Sequence, residues 1–98
     1  MESKEIKKYA RDFRKGMFGN QKGDGLCFAV SFPLCGALKF MGVNCRVGHF
    51  QVNGFDSFDE HYAIIVEDGK LLDATYDQIK KGNPKIYFGE MPENYIEI

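Results

Sequence analysis

The stretch His61-Tyr62-Ala63-Ile64-Ile65-Val66, then Glu67-Asp68-Gly69, then Lys70-Leu71-Leu72-Asp73-Ala74-Thr75 decides how this chain folds. Two short aliphatic runs flank a turn that ends in Gly, which is the pattern of a β-hairpin. Its register depends on the loop. A two-residue turn at Asp68-Gly69 would set Asp73 opposite Ile64, on the other side of the sheet from His61. A three-residue turn, Glu67-Asp68-Gly69, sets Asp73 opposite Ala63, diagonal to His61 and on the same face. Gly69 supplies the left-handed residue that the longer loop requires. A pairing of His61 with Asp73 therefore predicts the three-residue turn. In that register His61, Ala63 and Ile65 share one face and Tyr62, Ile64 and Val66 the other. Both faces are largely apolar, as in a central strand covered on both sides.

Working outward, Cys45–Val52 reads as the preceding strand, with Gly54-Phe55-Asp56-Ser57 as the turn between. Downstream, Tyr76–Lys81 reads as a short helix or turn, and Gly82-Asn83-Pro84 leads to a strand at Lys85–Phe88. Upstream, Cys27–Met41 is apolar nearly all round, with only Ser31 and Lys39 seeking water, so we expect a buried central helix. Asp24 or Gly25 is its expected N-cap and Gly42 its C′ stop. Pro33 falls inside it and is expected to kink it. Residues 18–26, rich in Gly with Asn and Asp, form a loop. Before that loop Ile6, Tyr9, Ala10, Phe13 and Met17 recur at helical spacing, from a start near Ser3. Lys4, Lys7, Lys8, Arg11, Arg14 and Lys15 fall outside this stripe and make a basic, solvated face. Helices first and strands second give an α+β class, with the N-terminal helix and the central helix packed on a small antiparallel sheet.

The chain of 98 residues suits one domain spanning 1–98. Thirteen Lys and Arg against fourteen Asp and Glu give a net charge of −1, which argues against a general nucleic-acid binder. No apolar run is long enough for a membrane span. Met1-Glu2-Ser3-Lys4-Glu5 has no apolar core of the kind a secretory signal needs, so the expected location is cytoplasmic. The odd count of three cysteines fits free thiols in a reducing compartment.

The three thiols are not equivalent. Cys27 opens the central helix just after the Gly-rich loop, where unpaired amides and the macrodipole favour a thiolate. Cys35, two turns along an apolar helix, and Cys45, in a strand, read as inert buried thiols. A thiol nucleophile needs a base, and the base needs an orienting group. His61 with Asp73 supplies both, although a structural His–Asp pair would show the same pattern. His49, in Val47-Gly48-His49-Phe50, is the alternative base, but it has no carboxylate at a comparable cross-strand position. Cys45 and His49 could offer two metal ligands, yet no Cys-x-x-Cys pair completes a zinc site. No phosphate-binding Gly pattern ends in Lys-Ser or Lys-Thr. Phe50, Phe55, Phe58 and Tyr62 read mostly as core aromatics.

The order Cys27, His61, Asp73 resembles the papain-like superfamily of cysteine proteases and its transglutaminase-like branch. Asn20-Gln21 followed by Cys27-Phe28-Ala29 looks like the papain pattern of Asn-Gln followed by Cys-Trp-Ala. There a Gln six positions before the nucleophile donates to the oxyanion hole, the place Gln21 holds here. His61-Tyr62, then Asp68-Gly69, then Asp73-Ala74-Thr75 looks more like the transglutaminase-like branch, whose pattern ends in Asp-Pro-Thr. Phe28 stands where papains have Trp, and Ala74 where Pro is usual. The resemblance covers residues 20–78 and implies a minimal core without a second substrate lobe.

These readings set three expectations. The first is a cysteine-nucleophile acyl-transfer enzyme acting on a peptide, protein or carboxamide substrate, as protease, deamidase or transglutaminase. It would use Cys27, His61, Asp73 and Gln21 and no metal or organic cofactor. The second is a catalytically silent papain-like fold serving as a protein-binding or inhibitory module. The third is a structural partner protein that uses the basic N-terminal helix.

Overall fold

A computed structural model describes residues 1–23, 25–54 and 60–98. Asp24 as an N-cap, the Phe55-Asp56-Ser57 part of the turn, and Phe58 lie outside the described residues. Among the described residues two α-helices, α1 (Ser3–Phe18) and α2 (Cys27–Phe40), precede five strands: β1 (Cys45–Val52), β2 (His61–Val66), β3 (Leu71–Asp73), β4 (Tyr87–Gly89) and β5 (Tyr95–Glu97). They form an antiparallel sheet in the order β4-β3-β2-β1-β5, with β2 at its centre. The class is α+β.

The hairpin has the register that the three-residue turn predicts. Ile64 faces Leu72 and Ile65 faces Leu71, Gly69 has φ +86°, and its N–H donates to Val66 O at 2.7 Å. β3 is shorter than the Lys70–Thr75 run: Ala74 and Thr75 lie beyond the strand, where Thr75 turns back to donate to Asp73. The last predicted strand, Lys85–Phe88, is displaced to Tyr87–Gly89. β5 has no predicted counterpart, since three residues after a Pro-containing turn carry too little alternation to read.

α2 lies along β2, with Ser31 Oγ donating to Tyr62 O at 3.2 Å near its start. It is not buried all round. Val30, Ser31, Leu34, Cys35 and Leu38 face the sheet, whereas Phe28 is 57% and Phe32 45% exposed. In a two-layer fold a helix is covered on one side only, and apolar composition does not change that. The helix runs through Pro33 unbroken, and Ala29, whose carbonyl loses its partner there, is on the exposed side. Gly25 is not the N-cap. Leu26 holds that position with no side-chain cap, and its own N–H turns back onto Gly23 O at 2.9 Å. A backbone turn, with Gly25 at φ +74°, replaces the capping side chain. The C-terminus follows expectation. Gly42 has φ +89°, and Val43 N–H to Leu38 O (2.9 Å) with Gly42 N–H to Lys39 O (3.0 Å) closes a Schellman motif.

On α1 the buried face is Ile6, Ala10 and Arg14, while Met17 is 46% exposed. The apolar stripe therefore ends one turn early, and an arginine expected on the solvated face takes the inward position. The two sheet faces carry separate cores. Ile6, Ala10, Leu34, Leu38, Ile64 and Leu72 fill the space under the helices. Phe50, Val52, Ala63, Leu71, Ile79 and Tyr95 pack on the other face. Truncating a residue such as Leu34, which is fully buried, removes about 2–5 kcal/mol.

Candidate active site

β2 begins with His61 beside the end of β3, so the register brings His61 and Asp73 together on one face. His61 Nε2 lies 2.8 Å from Asp73 Oδ2, and both side chains are fully buried. A carboxylate only accepts, so Nε2 carries the proton and Nδ1 is the nitrogen left for another partner. Cys27 interacts electrostatically with the His61 ring. The start of α2 thus lies beside the start of β2, and the three residues read from the sequence fall in one neighbourhood.

The electrostatics follow from these contacts. Burial alone would push the Cys27 thiol up, but the neighbouring His61 ring and the main-chain amides of Tyr62 and Phe28 hold it below the ordinary thiol value. Burial likewise works against a charged His61. The Asp73 hydrogen bond and the neighbouring Cys27 thiol outweigh it and raise His61 to about 9. Both shifts favour a thiolate beside an imidazolium.

Two partners of Asp73 went unassigned in the sequence. Tyr95 donates its hydroxyl to Asp73 Oδ2 at 2.6 Å, and its ring meets His61 edge to face with centroids 6.0 Å apart. Burial and the facing carboxylate push the Tyr95 phenol upward, so it stays a donor. Thr75 donates from N–H (2.9 Å) and Oγ1 (3.3 Å) to Asp73 Oδ1 in an Asx-type turn. The Asp-x-Thr spacing was a local signal for the second. Tyr95 comes from β5 and had no such signal.

Gln21 is exposed and lies on the loop before Cys27. Its backbone carbonyl accepts from Arg14 Nη2 at 2.8 Å. The same guanidinium forks onto Asp77, Nη1 to Oδ1 at 2.7 Å and Nη2 to Oδ2 at 2.9 Å. It also reaches Ala74 O at 3.1 Å and Lys85 O at 3.2 Å. Asp77 in turn accepts from Gly23 N–H at 3.1 Å.

His49 has a carboxylate after all, Glu60, with its oxygen 3.2 Å away. The register explains it, since His49 pairs with Tyr62 and Glu60 immediately precedes β2. The His49 ring stacks on Tyr62 at 4.6 Å, and Phe28 and Phe32 pack against the same tyrosine. Tyr62 thus belongs to a half-open aromatic group beside α2, whereas Phe50 is core. Cys45 Sγ lies 3.5 Å from Cys35 Sγ, both buried away from His61. Among the described residues no cluster of three or more His, Cys, Asp or Glu could hold a metal. Among them no helix is long and apolar enough to cross a membrane.

No family model, curated protein or solved structure matches this chain.

Proposed function

We propose that this chain is a minimal papain-like, transglutaminase-like enzyme that transfers acyl groups through a cysteine thiolate. The observation that carries this reading is the buried Asp73–His61 hydrogen bond of 2.8 Å, with Cys27, at the first turn of α2, interacting electrostatically with the same ring. Cys27 Sγ attacks the carbonyl carbon of a peptide bond or a glutamine-type carboxamide. The developing oxyanion is held by the Cys27 main-chain N–H, with the Gln21 side-chain amide as second donor. His61 Nδ1 gives its proton to the leaving amine as the C–N bond breaks, leaving a thioester on Cys27. Water attacks the thioester, His61 takes the water proton, and the C–S bond breaks to release the acid and the thiolate. With an amine in place of water the product is a new amide. Asp73, held by Tyr95 and Thr75, keeps Nε2 protonated so that Nδ1 faces the thiol throughout.

The substrate in this reading is a peptide or protein, and the cytoplasm is the compartment that suits three free thiols. The test is alkylation by iodoacetamide at about pH 6, where an ordinary thiol is nearly unreactive. Mass mapping should find Cys27 modified rapidly and selectively, and His61→Ala should slow it. Equally slow modification of all three thiols would overturn the enzyme reading in favour of a silent binding module on the same fold.

A further inference from the structure

We infer that Arg14 is a positioning residue for this site, clamping the loop that precedes Cys27 to the segment that carries Asp73. The inference deepens the thiol-enzyme reading and rests on it. Arg14 sits on a helix whose other basic side chains are mostly in water, yet it is only 1% exposed. Burying a guanidinium is expensive unless its charge is paired and its donors find partners; here Nη1 and Nη2 find them, while Nε has none among the described residues. The partners it finds are specific. Nη2 holds the carbonyl of Gln21 and Nη1 the carbonyl of Ala74, the residue after Asp73. The fork onto Asp77 aligns that carboxylate so that Oδ2 also takes the Gly23 amide.

The chain from there to the nucleophile is short. Gly23 O accepts from Leu26 N–H at 2.9 Å, and Leu26 O accepts from Val30 N–H at 2.9 Å, the first helical bond of α2. One guanidinium therefore sets the approach of the nucleophile loop to the acid–base strand without touching Cys27 or His61. Gly23 is packed to fit. A Cβ there would stand 2.5 Å from Asp77 Oδ1 and 3.1 Å from Thr75 Cβ. A lysine at position 14 would keep the charge but not the planar fork that serves carboxylate and carbonyls together.

The experiment compares wild type, Arg14→Lys and Gly23→Ala by the rate of Cys27 alkylation with iodoacetamide across about pH 5 to 9, alongside thermal unfolding. Gly23→Ala keeps the Arg14 side chain but sets a Cβ against Asp77 Oδ1, the oxygen that Nη1 holds, so it strains the loop and the clamp where they meet. Both folded variants should show the alkylation midpoint moved up by about one pH unit and the rate near pH 6 reduced about tenfold. Folded variants with the wild-type midpoint, whatever their melting temperature, would reduce Arg14 to a structural role and overturn the inference. A wild type with an ordinary thiol midpoint would instead overturn the enzyme reading, and the positioning role with it. Hydrogen exchange of the Gly23 amide in wild type decides the matter if the variants do not fold. Protection comparable to the core supports the clamp, and exchange at open-loop rates overturns it.

Discussion

Cys27 and Cys45 are nearly equally buried, at 8% and 5% exposed, and their thiols are pushed in opposite directions. Cys45 is driven up to about 12 by burial and by the neighbouring Cys35 thiol. Cys27 is drawn down because His61 and two main-chain amides oppose the same burial penalty. Burial sets a common cost for a thiolate, and partners decide whether it is met. Position in the fold decides the partners. Cys45 enters the sheet under the middle of α2, among apolar neighbours, and Cys27 sits where the amides at the start of α2 meet the histidine end of β2.

The comparison breaks most directly at His61. His61→Ala should slow alkylation of Cys27 near pH 6 by about 100-fold and leave Cys35 and Cys45 unchanged. An unchanged Cys27 rate would mean that helix position alone activates it.

A second effect is on pH-dependent stability. His61 is raised from 6.5 to about 9, so its stabilising contribution is complete below about pH 6.5 and is lost as pH rises through about 9. Urea unfolding across that window should show stability falling by on the order of 2 kcal/mol in wild type and staying flat in His61→Ala. In the proposed reaction, removing the proton from His61 also removes the acid for the leaving amine, so acyl transfer should fall over the alkaline part of that range.

Tyr95→Phe sharpens the comparison from the Asp73 side. It leaves a buried carboxylate oxygen short of one donor, and urea unfolding should register a loss of about 1–2 kcal/mol. The smallest effect belongs to Cys45→Ala. Its stability change should be about 1 kcal/mol or less, and the Cys27 alkylation midpoint should not move. A moved midpoint would show that the two thiols are linked and end their separation into reactive and inert.

The hairpin was readable because its register depends on one local residue. Gly69 adopts φ +86°, the loop is three residues long, and His61 and Asp73 must then share a face. The C-terminus of α2 was readable for the same reason, with Gly42 closing the helix. Arg14 was not. Helical periodicity identifies an inward face but not how far that face turns, and Arg14 and Met17 compete for its last position. The winner is set by Asp77, 63 residues away in the chain. The exposed side of α2 was hidden by composition, because Phe28 and Phe32 look like core residues until the sheet is seen to cover the opposite face. Tyr95 was hidden because nothing near it in the chain indicates that its hydroxyl ends on Asp73.

The sequence by itself determined the α+β order of elements, the turn that aligns His61 with Asp73, and Cys27 as the distinctive thiol. Each rests on interactions between residues close in the chain, where backbone geometry leaves few choices. The tertiary structure alone decided which arginine is buried, which donors hold Asp73, and how α2 is seated so that Cys27 meets His61. Those are contacts between distant segments, and they form only when the helices close on the sheet and buried polar groups must find partners or lose the water they gave up.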